Sequence, residues 1–138
     1  MPRKERWKHD PDPHDFPAAS DYLSLIFPEA AAVRMIEQLR NAPLINRKAK
    51  DLLRASGLPL LGKKDPEVIR DLRKVADGTQ LSPVLLVRGD RAANAALTVA
   101  DGYHRICASY HLSEDEDIPC RLADPALRGG ARTVKVGA

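Results

Sequence analysis

The sequence predicts a small α+β domain: a mixed sheet packed with helices and preceded by a helical extension. Three stretches carry that expectation. Residues 84–88 form an almost unbroken apolar run, the pattern of a strand covered on both faces. Residues 97–108 change period midway, from the alternation of a strand to the three- and four-residue spacing of a helix, with Asp101-Gly102 at the break. Asp65-Pro66-Glu67 opens a run in which Val68, Ile69, Leu72, Val75 and Ala76 share one helical face before Gly78.

Composition narrows the class. A chain of 138 residues makes one domain with a real core and little room for a second. Aromatic residues are only 4% of it, too few for the stacking platforms of a single-strand nucleic-acid binder. The net charge of +3 and pI of about 9.0 accommodate a nucleotide or a nucleic acid without requiring either. Cys107 and Cys120 lie in neither a C-x-x-C pair nor a zinc spacing, and both sit in apolar periodic segments, so unpaired, buried thiols are expected. The charged N-terminus is followed by no apolar h-region, and no run is long enough to span a bilayer. A cytoplasmic protein without a membrane partner is therefore expected.

Taken in order, residues 1–17 read as a flexible basic tail, rich in Pro, His and Asp and without periodicity. Residues 18–43 read as a helical extension. Tyr22, Leu23, Leu25 and Ile26 form the apolar side of a first helix. A second, begun at Pro28, uses Val33, Met35, Ile36 and Leu39. The two pack on the domain or serve a homodimer. The domain itself covers residues 44–127: a strand over 44–50, a short helix over 52–56 capped by Asp51 and ended by Gly57, and the Asp65 helix. Strands over 84–88 and 95–100 follow, joined by a turn, and then the helix from Tyr103. After a solvated acidic loop over 114–117 comes a last strand over 118–122. Residues 128–138 read as a C-terminal tail or an edge strand.

The candidate site is Asp101-Gly102-Tyr103-His104-Arg105. A strand that turns sharply through Gly into a helix leaves the first helical N–H groups free at the positive end of the dipole, a setting that suits phosphate. His104 and Arg105 add side-chain donors in the same turn. Asp101 complicates this, since a carboxylate repels phosphate unless it caps the helix, pairs with Arg105, or holds a Mg²⁺ ion between the two. The plainer reading is a tight turn with Asp101 as an ordinary N-cap. Lys63, Lys64, Arg73 and Lys74 reach the same phosphate if the Asp65 helix packs beside the His104 helix; otherwise they are a solvated basic face. His104, Cys107 and His111 have helical metal spacing, but one helix supplies too few ligands and Cys107 sits among apolar neighbours.

Leu81-Ser82-Pro83-Val84-Leu85-Leu86-Val87, then Val99-Ala100-Asp101-Gly102-Tyr103-His104-Arg105-Ile106-Cys107-Ala108, then Ile118-Pro119-Cys120-Arg121-Leu122 is similar in order and spacing to the ParB/sulfiredoxin superfamily. The resemblance spans residues 44–122, and the Asp-Gly-x-His-Arg form looks most like its free-serine kinase branch. It implies a small α+β domain whose turn binds nucleotide phosphates through Gly102, Tyr103, His104 and Arg105. The implied ligand is a nucleoside di- or triphosphate, with Mg²⁺ near Asp101 and with Asp101 and His104 as catalytic candidates for phosphotransfer or hydrolysis. Tyr103 stands where sulfiredoxin has its reactive Cys and ParB a Glu, and His104 where ParB has Arg, so neither of those reactions carries over. The alternative is a non-catalytic DNA-binding or protein-interaction module of ParB-like fold, although no helix-turn-helix follows.

Overall fold

Strand β2 (Val84–Val87) is buried at every position. Because side chains alternate across a strand, such a segment needs cover on both sides. Val84 and Leu86 enter one apolar cluster and Leu85 and Val87 another. The computed structural model, which describes residues 6–125, supplies that cover with helices on each face of a four-stranded mixed sheet. The architecture is α+β, as expected.

The remaining elements are α1 (Asp15–Ile26), α2 (Glu29–Asn41), β1 (Ile45–Lys48), α3 (Ala49–Ser56), α4 (Pro66–Ala76), β3 (Thr98–Asp101), α5 (Tyr103–Leu112) and β4 (Asp117–Ala123). The strand order is β1-β4-β2-β3. β4 runs antiparallel to β1 and parallel to β2, and β3 returns antiparallel along β2. The parallel neighbours β2 and β4 are thus joined through β3 and α5, and the turn from the edge strand β3 into α5 lies beside the central strand β2.

Local signals explain most boundaries. The Asp65 side chain caps α4 by accepting from the N–H groups of Glu67 (2.9 Å) and Val68 (3.1 Å), with Pro66 at the first position. Gly57, at φ 70°, ends α3 in the left-handed conformation common at helix C-termini. Asp51, by contrast, is not a cap. α3 begins at Ala49, and Asp51 lies inside its first turn, where its charge favours the helix dipole without a capping bond.

Two further expectations need correction, and a third is narrowed to one of its alternatives. The tail expected over residues 1–17 does not extend through the described residues 6–17. Trp7 is 6% exposed, and the backbone around it is paired with Leu81: Lys8 N–H donates to the Leu81 carbonyl and Leu81 N–H to that of Arg6, each at 2.8 Å. A single large aromatic group buries enough apolar area to anchor an otherwise polar segment, which composition averaged over the segment conceals. Of the two roles expected for the helical extension, packing on the domain is the one seen, and there the helices form a layer of the fold. Phe16, Ala19 and Leu23 of α1 and Met35, Ile36 and Leu39 of α2 pack with Leu85, Val87, Ala100 and Ala123 on one face of the sheet. The acidic loop is only partly solvated: Glu116 is buried and takes an ion pair from Arg6 at 3.0 Å. The region expected as a C-terminal tail or edge strand over 128–138 lies outside the described residues.

Cys107 and Cys120 are unpaired and buried, as expected. Burial pushes both thiols up, Cys120 to about 12. Both are therefore expected to resist a thiol reagent in native protein at mildly alkaline pH and to react at once in denaturant; prompt native labelling of either contradicts the packing. Trp7→Ala should destabilise the fold by about 3–5 kcal/mol in urea unfolding. A tryptophan in a loose tail would cost almost nothing.

Candidate functional site

At the β3–α5 junction the chain turns within one residue. Gly102 adopts φ 115°, a conformation that L side chains rarely take, and a Cβ there would collide with the Val84 side chain and stand 2.8 Å from an Arg105 guanidinium nitrogen. Glycine is thus required twice over, by dihedral and by space. The start of α5 is thereby pressed against β2 beside the pair Leu85–Asp101.

The first intrahelical bond of α5 runs from Ile106 N–H to the Gly102 carbonyl, and no side chain caps the helix. The amides of Tyr103, His104 and Arg105 thus form the uncapped positive end of the dipole. Asp101 is not the N-cap of the plainer reading. Its carboxylate instead accepts from Arg105 Nη2 at 2.9 Å. That ion pair is mostly sheltered, with the Arg105 side chain 16% exposed and its Nε buried without a hydrogen-bond partner.

Residues outside the motif complete the surroundings, and sequence reasoning missed them. Asp15, 2% exposed, accepts from the Ser82 hydroxyl at 2.7 Å and from Asp12 N–H at 3.2 Å. Its carboxyl also lies close enough to that of Asp101 to act on it. Burial raises the Asp101 pKa; Arg105 opposes that shift, and Asp15 adds to it. A nearby carboxylate disfavours the charged form of Asp101, as burial does. The only sequence signal for Asp15 was its place just before Phe16, where an apolar helix face begins three residues ahead of the expected start.

Asp71 of α4 is the second missed residue. It is 7% exposed on the helix that packs against α5. Burial raises its pKa, against the opposing influence of Arg105, Lys74, Arg70 and His104 in that order. Lys74 and His104 therefore share the electrostatic neighbourhood of Arg105, as the expected packing of the two helices required. The side chain of Tyr103 turns away from the turn, its hydroxyl donating to the Pro59 carbonyl.

The candidate metal ligands separate. His111 Nε2 bonds the Leu61 carbonyl at 2.7 Å and Cys107 is buried in the apolar cluster, so His104, Cys107 and His111 do not converge on one ion. Asp101 does not fit as a Mg²⁺ anchor, because its carboxyl already faces Arg105 and Asp15. Among the described residues, the group with ligand atoms close enough for an ion is Asp12, His14 and Asp15, and there Lys8 Nζ already holds Asp12 at 2.7 Å.

Asp71 gives a pH test. In the unfolded chain it loses its proton near 3.8, whereas the native protein keeps it to higher pH. Native protein then binds more protons than unfolded protein in the window above that value, so this group's contribution to stability falls as pH rises through it. Asp71→Asn lacks that decline. Its stability relative to wild type should be lowest near pH ~3 and rise toward neutrality in urea titrations; a difference that does not change with pH contradicts the assignment.

No protein-family model matches this chain, and no curated protein or solved structure does, so the β3–α5 turn stands on its own geometry.

Proposed function

We propose that this protein is a ParB/sulfiredoxin-like domain that binds a nucleoside di- or triphosphate at the N-terminus of α5. The observation that carries the reading is the Gly102 turn: three uncapped amides and a sheltered guanidinium meet at one helix end, where only glycine fits. Phosphate oxygens accept from the amides of Tyr103 and His104 and from Arg105, whose fork suits bidentate contact. Lys74 and His104 add donors from the α4–α5 seam.

Phosphotransfer or nucleotide hydrolysis is the chemistry this arrangement serves, since such reactions need charge neutralisation and positioning more than a covalent step. Asp101, whose pKa burial raises, is its candidate proton-transfer group, with His104 beside it. No step is routed through a metal ion. The two unpaired cysteines support a cytoplasmic setting, where thiols stay reduced.

The test is calorimetric titration of ATP, ADP, CTP and GTP into wild type and variants. Arg105→Ala should weaken binding by about ten- to a hundredfold, the loss of one charge-assisted hydrogen-bonding group. His104→Ala should cost less, because a ring N–H offers phosphate a single donor where the Arg105 fork offers two. Gly102 is unsuitable as a probe, since any side chain there strikes Val84 and disturbs the fold itself. Unchanged affinity in a folded Arg105→Ala, or no binding of any nucleotide by wild type, overturns the reading.

A further inference from the structure

At the opposite end of β2 the sheet carries a second concavity. Val84 abuts the Gly102 turn, whereas Leu86, two residues on, lies in the floor of an open cavity of about 740 Å³. Its floor is apolar, from Leu52 of α3, Leu86, Leu97 and Leu122. Its wall carries four arginines, Arg47, Arg54, Arg88 and Arg91, against two aspartates, Asp51 and Asp90.

These arginines come from separate elements: β1, α3, the end of β2, and the turn of 3-10 helix over Arg91–Ala93. The loop that closes the cavity is firmly built. Leu97 N–H donates to the Ala55 carbonyl at 3.0 Å, and Asp90 and Ala95 exchange backbone bonds at 2.8 and 2.9 Å. At Gly89 a Cβ would stand 2.6 Å from the Ala95 carbonyl oxygen, so the loop closes tightly only with glycine there. The guanidinium groups have little to hold them inward. Arg54 lies 3.8 Å from Asp51, Arg47 donates to the neighbouring Asn46 carbonyl, and Arg88 bonds Asp124 outside the cavity.

We propose that this cavity is a second binding site, separate from the α5 turn, for a small organic anion with a flat apolar body and at least two negative charges. Its volume falls within the range of small-molecule sites, and an apolar floor with a few polar groups at the rim is their usual make-up. With Arg88 held by Asp124, the three guanidinium groups of Arg47, Arg54 and Arg91 stand against two carboxylates and leave an excess of positive charge that an anion neutralises, and their planar forks match carboxylate, sulfonate or phosphate oxygens. The concavity favours a small molecule over a nucleic-acid backbone, which tracks along an open basic surface.

The probe is pyrene tetrasulfonate, followed by fluorescence anisotropy. Wild type should bind it saturably at one site. Arg47→Gln with Arg91→Gln should weaken it by about tenfold or more, through lost charge-assisted contacts. Ala55→Trp, at an exposed wall position, should do the same by filling the cavity with every arginine kept; Ala96→Trp on the facing loop serves if that variant does not fold. Arg105→Gln, at the other end of the sheet, should leave binding unchanged. The proposal is overturned if the probe does not saturate, if the tryptophan variants bind as wild type does, or if Arg105→Gln abolishes binding. A DNA duplex that displaces the probe and still binds Ala55→Trp also overturns it, assigning the arginines to a nucleic-acid surface.

Discussion

The burial of β2 from both sides is the constraint on which the rest of the structure depends. Val84 and Leu86 face α3, α4 and α5, while Leu85 and Val87 face α1 and α2, so neither helical layer is dispensable. An uncovered face would leave two large aliphatic side chains in water at a cost of about 1.5–3 kcal/mol each. That requirement turns the N-terminal helices from an appendage into half of the fold. It also draws in the residues ahead of them, because α1 cannot reach the sheet without carrying Asp15 and Phe16 to its surface.

The same strand sets the geometry of the candidate site. Gly102 turns directly over Val84, so the first turn of α5 is held against the sheet rather than suspended in a loop. Arg105, one turn along, is folded back onto Asp101, and Asp15 reaches the same carboxyl from the N-terminal layer. The result is a group of three in which Arg105 pairs with Asp101, and Asp15 lies near that carboxyl, beneath an uncapped helix end. In the proposed phosphate site, an arriving phosphate would compete with Asp101 for the guanidinium. Asp71 performs a related service from α4: it is buried beside Arg105, Lys74 and His104, and it balances part of their positive charge.

Much was legible where chemistry is local. The Asp65-Pro66 start of α4, the strand-to-helix change at Asp101-Gly102 and the continuous apolar run of β2 each depend on neighbours within a few residues. The pairing of Asp101 with Arg105 was one of three open roles, and it is also a local one, four residues apart on one turn. Asp51 shows where local signals mislead: a good capping residue stands near the start of α3, but the strand before it feeds the helix two residues earlier.

What the sequence by itself determined is the α+β class, the buried central strand and the glycine turn that opens α5, because hydrophobic period and backbone dihedrals are properties of short segments. Tertiary structure alone decided that Trp7 pairs with Leu81, that Asp15 and Ser82 meet near Asp101, that Asp71 is buried within reach of the Arg105 charge, and that four arginines surround one cavity. Those contacts join residues up to 86 positions apart, as Asp15 and Asp101 are. No periodicity within either segment encodes a partner in the other; the partner is chosen by which faces of the sheet remain to be covered.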